Sequence, residues 1–373
     1  MNLAIQVLLI LLVSLSFEYK SLAQNIFNPR YLAGIHSESG PIMKHTINFR
    51  PNTDRWVQSL SFFIEKKTTQ TWSSDNSSLR WNLHWMHFGN PEVLGQAISL
   101  YPSVIIPLYR QGNGVLRAHI GSGFSAITRK YHPVNNPENN AIGSTINNIT
   151  QIGLGWNWQT RAGWNLEGGL NFTHYSNGSF QNPNLGINAF CAGISIARPI
   201  GKTKSHVYKD TLHLPQTLAR RYFSLRKGLA VQSNVPGGPQ HLAFSLASSY
   251  MVKTGRRNAT GAGLHLGYNN GEYRWQLRRL PESTQSLHLS SSDVAIHAVN
   301  EWYVANISLV TMAGFYVYDP FFKIAPVFIK LGFHYYPFKT PGSLKDMFFF
   351  GSIKSHFFIA DYMEFGLGYR FRT

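Results

Sequence analysis

Two side chains in this 373-residue chain, His174 and Ser176, have the types and spacing of a nucleophile beside its base. One residue separates them, so on an extended strand both point to the same face and lie within reach of each other. A serine hydroxyl is a poor nucleophile until a base takes its proton, and a neutral imidazole does so near neutral pH. Asn177 follows directly and offers an amide donor to a developing oxyanion. Gly178 then allows a sharp exit from the strand. The chemistry that such a set performs is acyl transfer. The same residues also fit a polar strand end with no chemistry, since the chain contains 15 histidines.

The elements that position the pair read as strands. Trp164, Leu166, Leu170 and Phe172 fall on one face of period two, with Gly168 between them; Asn165, Glu167, Asn171 and Thr173 fall on the other. The apolar register continues to His174 and Ser176, whereas Glu167 belongs to the opposite face and reads as a residue of the interior. Ile152, Leu154, Trp156 and Trp158 alternate with Gln151, Gly153, Gly155 and Asn157 in the same way. Met363, Phe365, Leu367, Tyr369 and Phe371 alternate with Glu364, Gly366, Gly368 and Arg370. Helical spacing would mix these sets. Turn signals such as Asn113-Gly114, Asn270-Gly271 and Pro341-Gly342 separate the runs.

Composition narrows the architecture. Charged residues make up 14% of the chain, aromatic residues 14% and hydrophobic residues 43%, with 32 glycines. That aromatic content excludes a disordered chain. Past the N-terminus no run of about 18 apolar residues appears, which argues against membrane helices. Strand runs of about ten residues, an aromatic-rich apolar face and an aromatic closing strand favour a membrane barrel over a soluble β protein. The expectation is an all-β fold: a transmembrane antiparallel β-barrel of about 12 to 16 strands, with about 14 the best count. Regions 24–45, 200–221 and 281–298 give no clear strand pattern. Residues 200–221, with Lys202, Lys204, Lys209, Arg220 and Arg221, read as a long basic loop or a small non-barrel element. Residues 1–23 read as a cleaved signal peptide, apolar over 3–15 with Ser21 and Ala23 before the cut. The mature chain 24–373 reads as one barrel domain. Its single cysteine, Cys191, excludes an intrachain disulfide.

His174-Tyr175-Ser176-Asn177, followed by Pro183-Asn184 and Gly186-Ile187, resembles the signature of the lipid A 3-O-deacylase family of outer-membrane barrel esterases. The wider chain is similar to longer acyloxyacyl-hydrolase relatives, through Gly89-Asn90-Pro91-Glu92-Val93-Leu94-Gly95 and the closing Glu364–Phe371 stretch. The short deacylases are about half this length and eight-stranded, so the resemblance fixes no strand count here. It implies Ser176 as nucleophile, His174 as general base, and Asn177 and Gly178 as oxyanion contributors. The third member of the family's triad is a glutamate twelve residues after the serine; Asn188 stands there in this chain. An asparagine can orient an imidazole but cannot stabilise the imidazolium by charge. Three readings stay open: Asn188 orients His174, another acid does the work, or the site is inactive. Asn188 shares the register of Phe190, Ile194 and Ile196, so it can meet His174 across neighbouring strands.

The resemblance implies lipid A of lipopolysaccharide, in the outer leaflet of the bacterial outer membrane, as substrate. An esterase acting there should present its nucleophile outward at headgroup depth, as the register of Ser176 does. Strand counting from both termini makes the loop 178–184 extracellular. The 34 Lys and Arg against 17 Asp and Glu leave a net charge of +17, which suits anionic lipid A phosphates. Charge alone gives no support for nucleic acid. No cofactor motif is present. A metal site is not expected either: His84 and His87 fall on opposite faces, and His206 and His213 lack a partnering cysteine or acid cluster. A homodimer is compatible with the pattern. The alternatives are a non-catalytic outer-membrane barrel, a pore or structural protein with a relic site, and a soluble secreted β protein that binds glycans.

Overall fold

The protein is described by a computed structural model covering residues 31–67, 77–200, 220–255, 258–279, 286–304, 307–320, 325–338, 343–356 and 359–372. The signal peptide read at 1–23 and most of the basic stretch 200–221, with Lys202, Lys204, His206, Lys209 and His213, lie outside the described residues.

Strands β1 (Tyr31–Gly40), β2 (Val57–Lys67), β3 (Ser78–His87), β4 (Gln96–Gln111), β5 (Gly114–Ile127), β6 (Ile146–Gln159), β7 (Asn165–Ser176) and β8 (Ile187–Ile200) close into one antiparallel barrel. Strands β9 (Arg221–Ser233), β10 (Gln240–Lys253), β11 (Asn258–Asn269), β12 (Ser292–Val304), β13 (Ile307–Tyr318), β14 (Val327–Tyr335), β15 (Met347–His356) and β16 (Ile359–Arg372) close into a second. Closure comes from β8 pairing back onto β1, with Tyr31 opposite Ile200, and from β16 pairing back onto β9, with Phe371 opposite Phe223. A closed ladder leaves no open edge, which a bilayer requires of strands that cross it.

The all-β antiparallel expectation stands, and the sixteen strands among the described residues fall at the upper end of the expected 12 to 16, above the best count of 14. The single closure is corrected: these strands form two barrels of eight in place of one barrel over 24–373. Closure pairs strands far apart in sequence, so local alternation cannot announce where one barrel ends. The two strands hardest to read have physical reasons for it. Strand β1 points Ser37 outward beside Ile35, and β12 points Asn300 outward beside Ile296 while burying Val299 and Tyr303. Neither presents a uniformly apolar face.

Elsewhere the parity is obeyed. Leu154, Trp156, Trp158, Leu166, Leu170, Phe365, Leu367 and Phe371 are exposed outward, as a lipid-facing belt requires. Glu167 points inward, where it pairs with Arg117 and lies 3.1 Å from His119 Nε2. Glu65 joins the same network through Arg80 at 2.7 Å and Arg117 at 3.2 Å. The expectation of a polar interior holds for this part of the first barrel only. Toward the end that carries β7's terminus the interior is apolar, filled by Phe49, Met86, Phe88, Leu94, Ile142, Ile149 and Tyr175. The long links 41–56, 88–95 and 128–145 fold inward and supply much of that plug.

The second barrel buries a charged network beside an apolar cluster that includes Met251, Val299, Met312 and Phe328. Glu301 accepts from His334 Nδ1 at 2.9 Å and from the Tyr303 hydroxyl at 2.7 Å; Glu364 pairs with Lys330 at 2.7 Å. Among the described residues the buried Lys and Arg (Arg80, Arg226, Lys330, Lys354, Arg370) equal the buried acids (Glu38, Glu65, Glu167, Glu301, Glu364) in number. The basic excess therefore lies outside the buried set. Removing one partner of a buried ionic network leaves the others unpaired. Glu301→Ala is accordingly expected to destabilise the second barrel by on the order of 3 kcal/mol, read as a lower temperature for the heat-induced gel-mobility shift of the folded protein. An unchanged shift temperature would show the network to be dispensable.

Candidate active site

The site forms where β6, β7 and β8 end together. His174 lies directly opposite Asn188 across the β7–β8 ladder, and Ser176 lies opposite Asn148 across β6–β7. All four belong to the outward register. Ser176 Oγ is 2.9 Å from His174 Nε2, and His174 Nδ1 is 2.6 Å from Asn188 Oδ1. A carbonyl oxygen only accepts, so Nδ1 carries the imidazole proton and Nε2 is left to accept from the serine hydroxyl. That is the tautomer a general base needs. The sequence expectation that His174, Ser176 and Asn188 meet is thus met by the geometry of the three side chains.

Asn188 is itself oriented. Its Nδ2 donates to His45 Nδ1 at 3.0 Å, and its backbone oxygen accepts from Met43 N at 2.8 Å. His45 sits in the link after β1, outside the strands, at an exposed position where partial desolvation holds its pKa below the usual histidine value. A neutral His45 ring has one nitrogen free to accept, which fixes the Asn188 amide with its oxygen toward His174. Sequence reasoning missed His45, because it lies in a link with no period-two pattern and far from the motif.

Two glycines let the site close. Gly186 has φ of +79°, and a Cβ there would come within 2.8 Å of the His174 ring. Gly178 has φ of +59°, and a Cβ there would come within 2.9 Å of Met363 in the second barrel. Ser176 is only 5% exposed, although it belongs to the outward face.

Asn177 is occupied differently from the sequence expectation. Its Nδ2 donates to Ser144 Oγ at 2.9 Å and to the Gln181 carbonyl at 2.8 Å, so both amide hydrogens are engaged. Its backbone N–H donates to Asn184 Oδ1 at 2.8 Å. In this arrangement Asn177 fastens the loop that follows the nucleophile. Beside the pair, Ser122, Asn148 and Thr150 form an outward polar ladder, with Asn148 Nδ2 to Ser122 Oγ at 2.9 Å and Thr150 Oγ1 to Asn148 Oδ1 at 2.8 Å.

Two other serine–histidine contacts, Ser61–His84 at 2.7 Å and Ser249–His297 at 2.8 Å, are buried inside the barrels. Neither faces lipid. His84, His174 and His297 therefore differ less in local partner than in which side of the wall they occupy.

Closed antiparallel barrels with an outward apolar belt define the molecule as a β-barrel protein of the bacterial outer membrane. Each half of the chain matches a hydrolase family. Residues 47–197 match the family described as lipid A 3-O-deacylase, and residues 221–373 match the acyloxyacyl hydrolase C-terminal domain. The two matches divide along the two barrels. Among solved structures, the chain is similar to the outer membrane enzyme PagL at 16% identity, over 45% of this chain and 99% of that one, with a TM-score of 0.33. It is also similar to a mutant porin of Rh. blastica at 9% identity, over 91% of this chain and 99% of that one, with a TM-score of 0.20. No curated protein sequence matches the chain.

Proposed function

We propose that the protein is an outer-membrane serine esterase that removes an ester-linked acyl chain from lipid A of lipopolysaccharide. The observation that carries this reading is the hydrogen-bonded relay from Ser176 through His174 to Asn188 on the lipid-facing side of a barrel wall. A barrel needs no such relay there for stability, since that face elsewhere carries Leu, Ile, Phe and Trp. The family supplies the substrate class.

In the first half-reaction Ser176 Oγ attacks the ester carbonyl carbon while His174 Nε2 takes the hydroxyl proton. The tetrahedral intermediate collapses, the C–O bond to the sugar breaks, and the leaving alkoxide takes the proton from His174. The acyl group now rests on Ser176. Water then attacks the acyl-enzyme with His174 again as base, releasing the fatty acid and restoring Ser176. Asn188 keeps His174 in the accepting tautomer. With the Asn177 amide engaged in the loop, the backbone N–H of Gly178, turned by its positive φ, is the oxyanion donor this reading assigns.

The depth of the site supports a substrate in the outer leaflet. Among the fully described links of the first barrel, those at the site end, 41–56, 88–95, 128–145 and 177–186, are longer than the opposite turns 112–113 and 160–164, and long links are the extracellular ones in such barrels. The second reading, a non-catalytic pore, has the apolar plug of the first barrel against it. Lipid A extracted from cells producing the protein should lose the mass of one acyl group in mass spectrometry. An unaltered lipid A profile with well-folded protein in the outer membrane overturns the reading.

A further inference from the structure

The mechanism above uses the first barrel alone, which leaves the second without a task. The contacts between them are concentrated on one segment, the loop that leaves Ser176. Ser233 N donates to the Ser179 carbonyl at 3.0 Å, and Ser179 Oγ donates to the Ala360 carbonyl at 2.7 Å. Asn182 Nδ2 donates to the Ser233 carbonyl at 2.6 Å, and Gly237 N donates to the Asn182 carbonyl at 3.0 Å. Gln181 Nε2 reaches the Gly238 carbonyl at 3.2 Å, and Gln240 Nε2 reaches the Phe180 carbonyl at 3.2 Å. Each of Ser179, Phe180, Gln181 and Asn182 is therefore tied to the second barrel.

The backbone of this loop asks for such ties. Gly178 and Ser179 are consecutive left-handed residues, with φ of +59° and +61°. The left-handed region costs an ordinary residue about 1 to 2 kcal/mol, and such a residue persists only where its surroundings over-determine it. At Ser179 those surroundings belong to the second barrel, which holds both its carbonyl and its hydroxyl. Met363 of β16 also packs against Gly178 itself.

We infer that the second barrel is a brace for the esterase site: Ser233, Gly237, Gln240 and Ala360 hold the 178–182 loop so that the Gly178 N–H is aimed at the oxyanion. Ser179, Asn182 and Gln240 are then positioning residues, acting on the transition state through the loop. The inference rests on the proposed esterase reading, because an aimed donor matters only to a reaction.

A brace on an oxyanion donor is felt in kcat rather than in substrate binding, because the charge on oxygen develops only in the transition state. In the full-length protein, the triple variant Ser179→Ala/Asn182→Ala/Gln240→Ala removes three side-chain ties and leaves Ser176, His174, Asn188 and Gly178 in place. Deacylation of purified lipopolysaccharide in detergent micelles should fall about 10- to 100-fold in kcat with KM within about twofold, as a displacement of about 1 Å at a reacting centre produces. Labelling of Ser176 by a fluorophosphonate, whose phosphoryl oxygen sits in the same hole, should slow by a similar factor. Gln240→Ala alone, at an exposed position of the second barrel, gives a smaller loss in the same direction and guards against a folding failure of the triple variant. Unchanged kcat and labelling in both variants overturn the brace, as does a rise in KM at constant kcat. Wild-type protein that neither deacylates nor takes the label fails the esterase reading instead, which the wild-type arm reveals by itself.

Discussion

Replacing Ser176 with alanine is expected to abolish lipid A deacylation while leaving the barrels intact. The hydroxyl is the atom that forms the acyl-enzyme, and no neighbouring group offers a bypass: His174, its hydrogen-bond partner, is the base, and Asn148, opposite it across the β6–β7 ladder, is an amide. Loss of a serine nucleophile in a relay of this kind lowers kcat by on the order of 10⁶. The structural cost is small by comparison. One side-chain hydrogen bond at the rim of the wall is worth about 1 kcal/mol, and alanine fills most of the space that serine leaves. The variant should therefore keep its resistance to unfolding in cold detergent and its heat-induced gel shift. Two measurements check it together: the acyl count of lipid A by mass spectrometry and covalent labelling by a fluorophosphonate. Both should be lost in the variant and present in the wild type. Deacylation persisting in a folded Ser176→Ala protein would remove the nucleophile from the scheme and return the site to a polar strand end.

The register that singles out Ser176 is legible in the sequence because a strand has only two faces. Once Trp164, Leu166, Leu170 and Phe172 declare the outward face, His174 and Ser176 follow without any further information. The same rule assigns Glu167 to the interior and the closing strand's Phe365, Leu367 and Phe371 to lipid, as found. Asn188 is also legible, since its register matches Phe190 and Ile194 on the neighbouring strand. Three features are not. The closure of β8 onto β1 depends on pairing across the whole first barrel, so one barrel and two have the same local pattern. The occupation of the Asn177 amide depends on Ser144, which arrives from the long link before β6. His45 is brought to Asn188 by the link after β1, a stretch whose composition says nothing about where it folds. The first is a pairing between strands far apart in sequence, and the other two are long-range contacts made by links, which carry no period from which a face could be read.

The link that carries His45 gives the second large effect. Asn188→Leu is expected to lower kcat by on the order of 10⁴, the scale reached when a catalytic histidine loses the partner that fixes its tautomer. Without the Asn188 oxygen, Nδ1 has no acceptor and the proton can settle on Nε2, which then cannot take the serine proton. An asparagine is exposed to a hazard that a carboxylate is not, because a flipped amide offers Nδ2 to His174 and stabilises the wrong tautomer. His45 is what opposes the flip, since its neutral Nδ1 accepts from Asn188 Nδ2. His45→Leu should then cost about 10- to 100-fold in kcat, less than Asn188→Leu because the correct amide orientation remains partly populated. His45→Gln should restore most of the rate, as a glutamine carbonyl can accept the same hydrogen bond. The pH dependence separates the two substitutions. Partial desolvation lowers the His45 pKa, so the ring stays neutral at neutral pH, and its accepting contact is present above the lowered value and lost as pH falls through it. Protonation turns Nδ1 into a donor and breaks the contact with Asn188. The wild type should therefore lose activity on the acid side through two protonations, at His45 and at His174. His45→Gln should lose it through His174 alone, with a shallower acid limb in the kcat profile. Identical acid limbs, with no rate difference between the leucine and glutamine variants, would show that Asn188 keeps its orientation without His45.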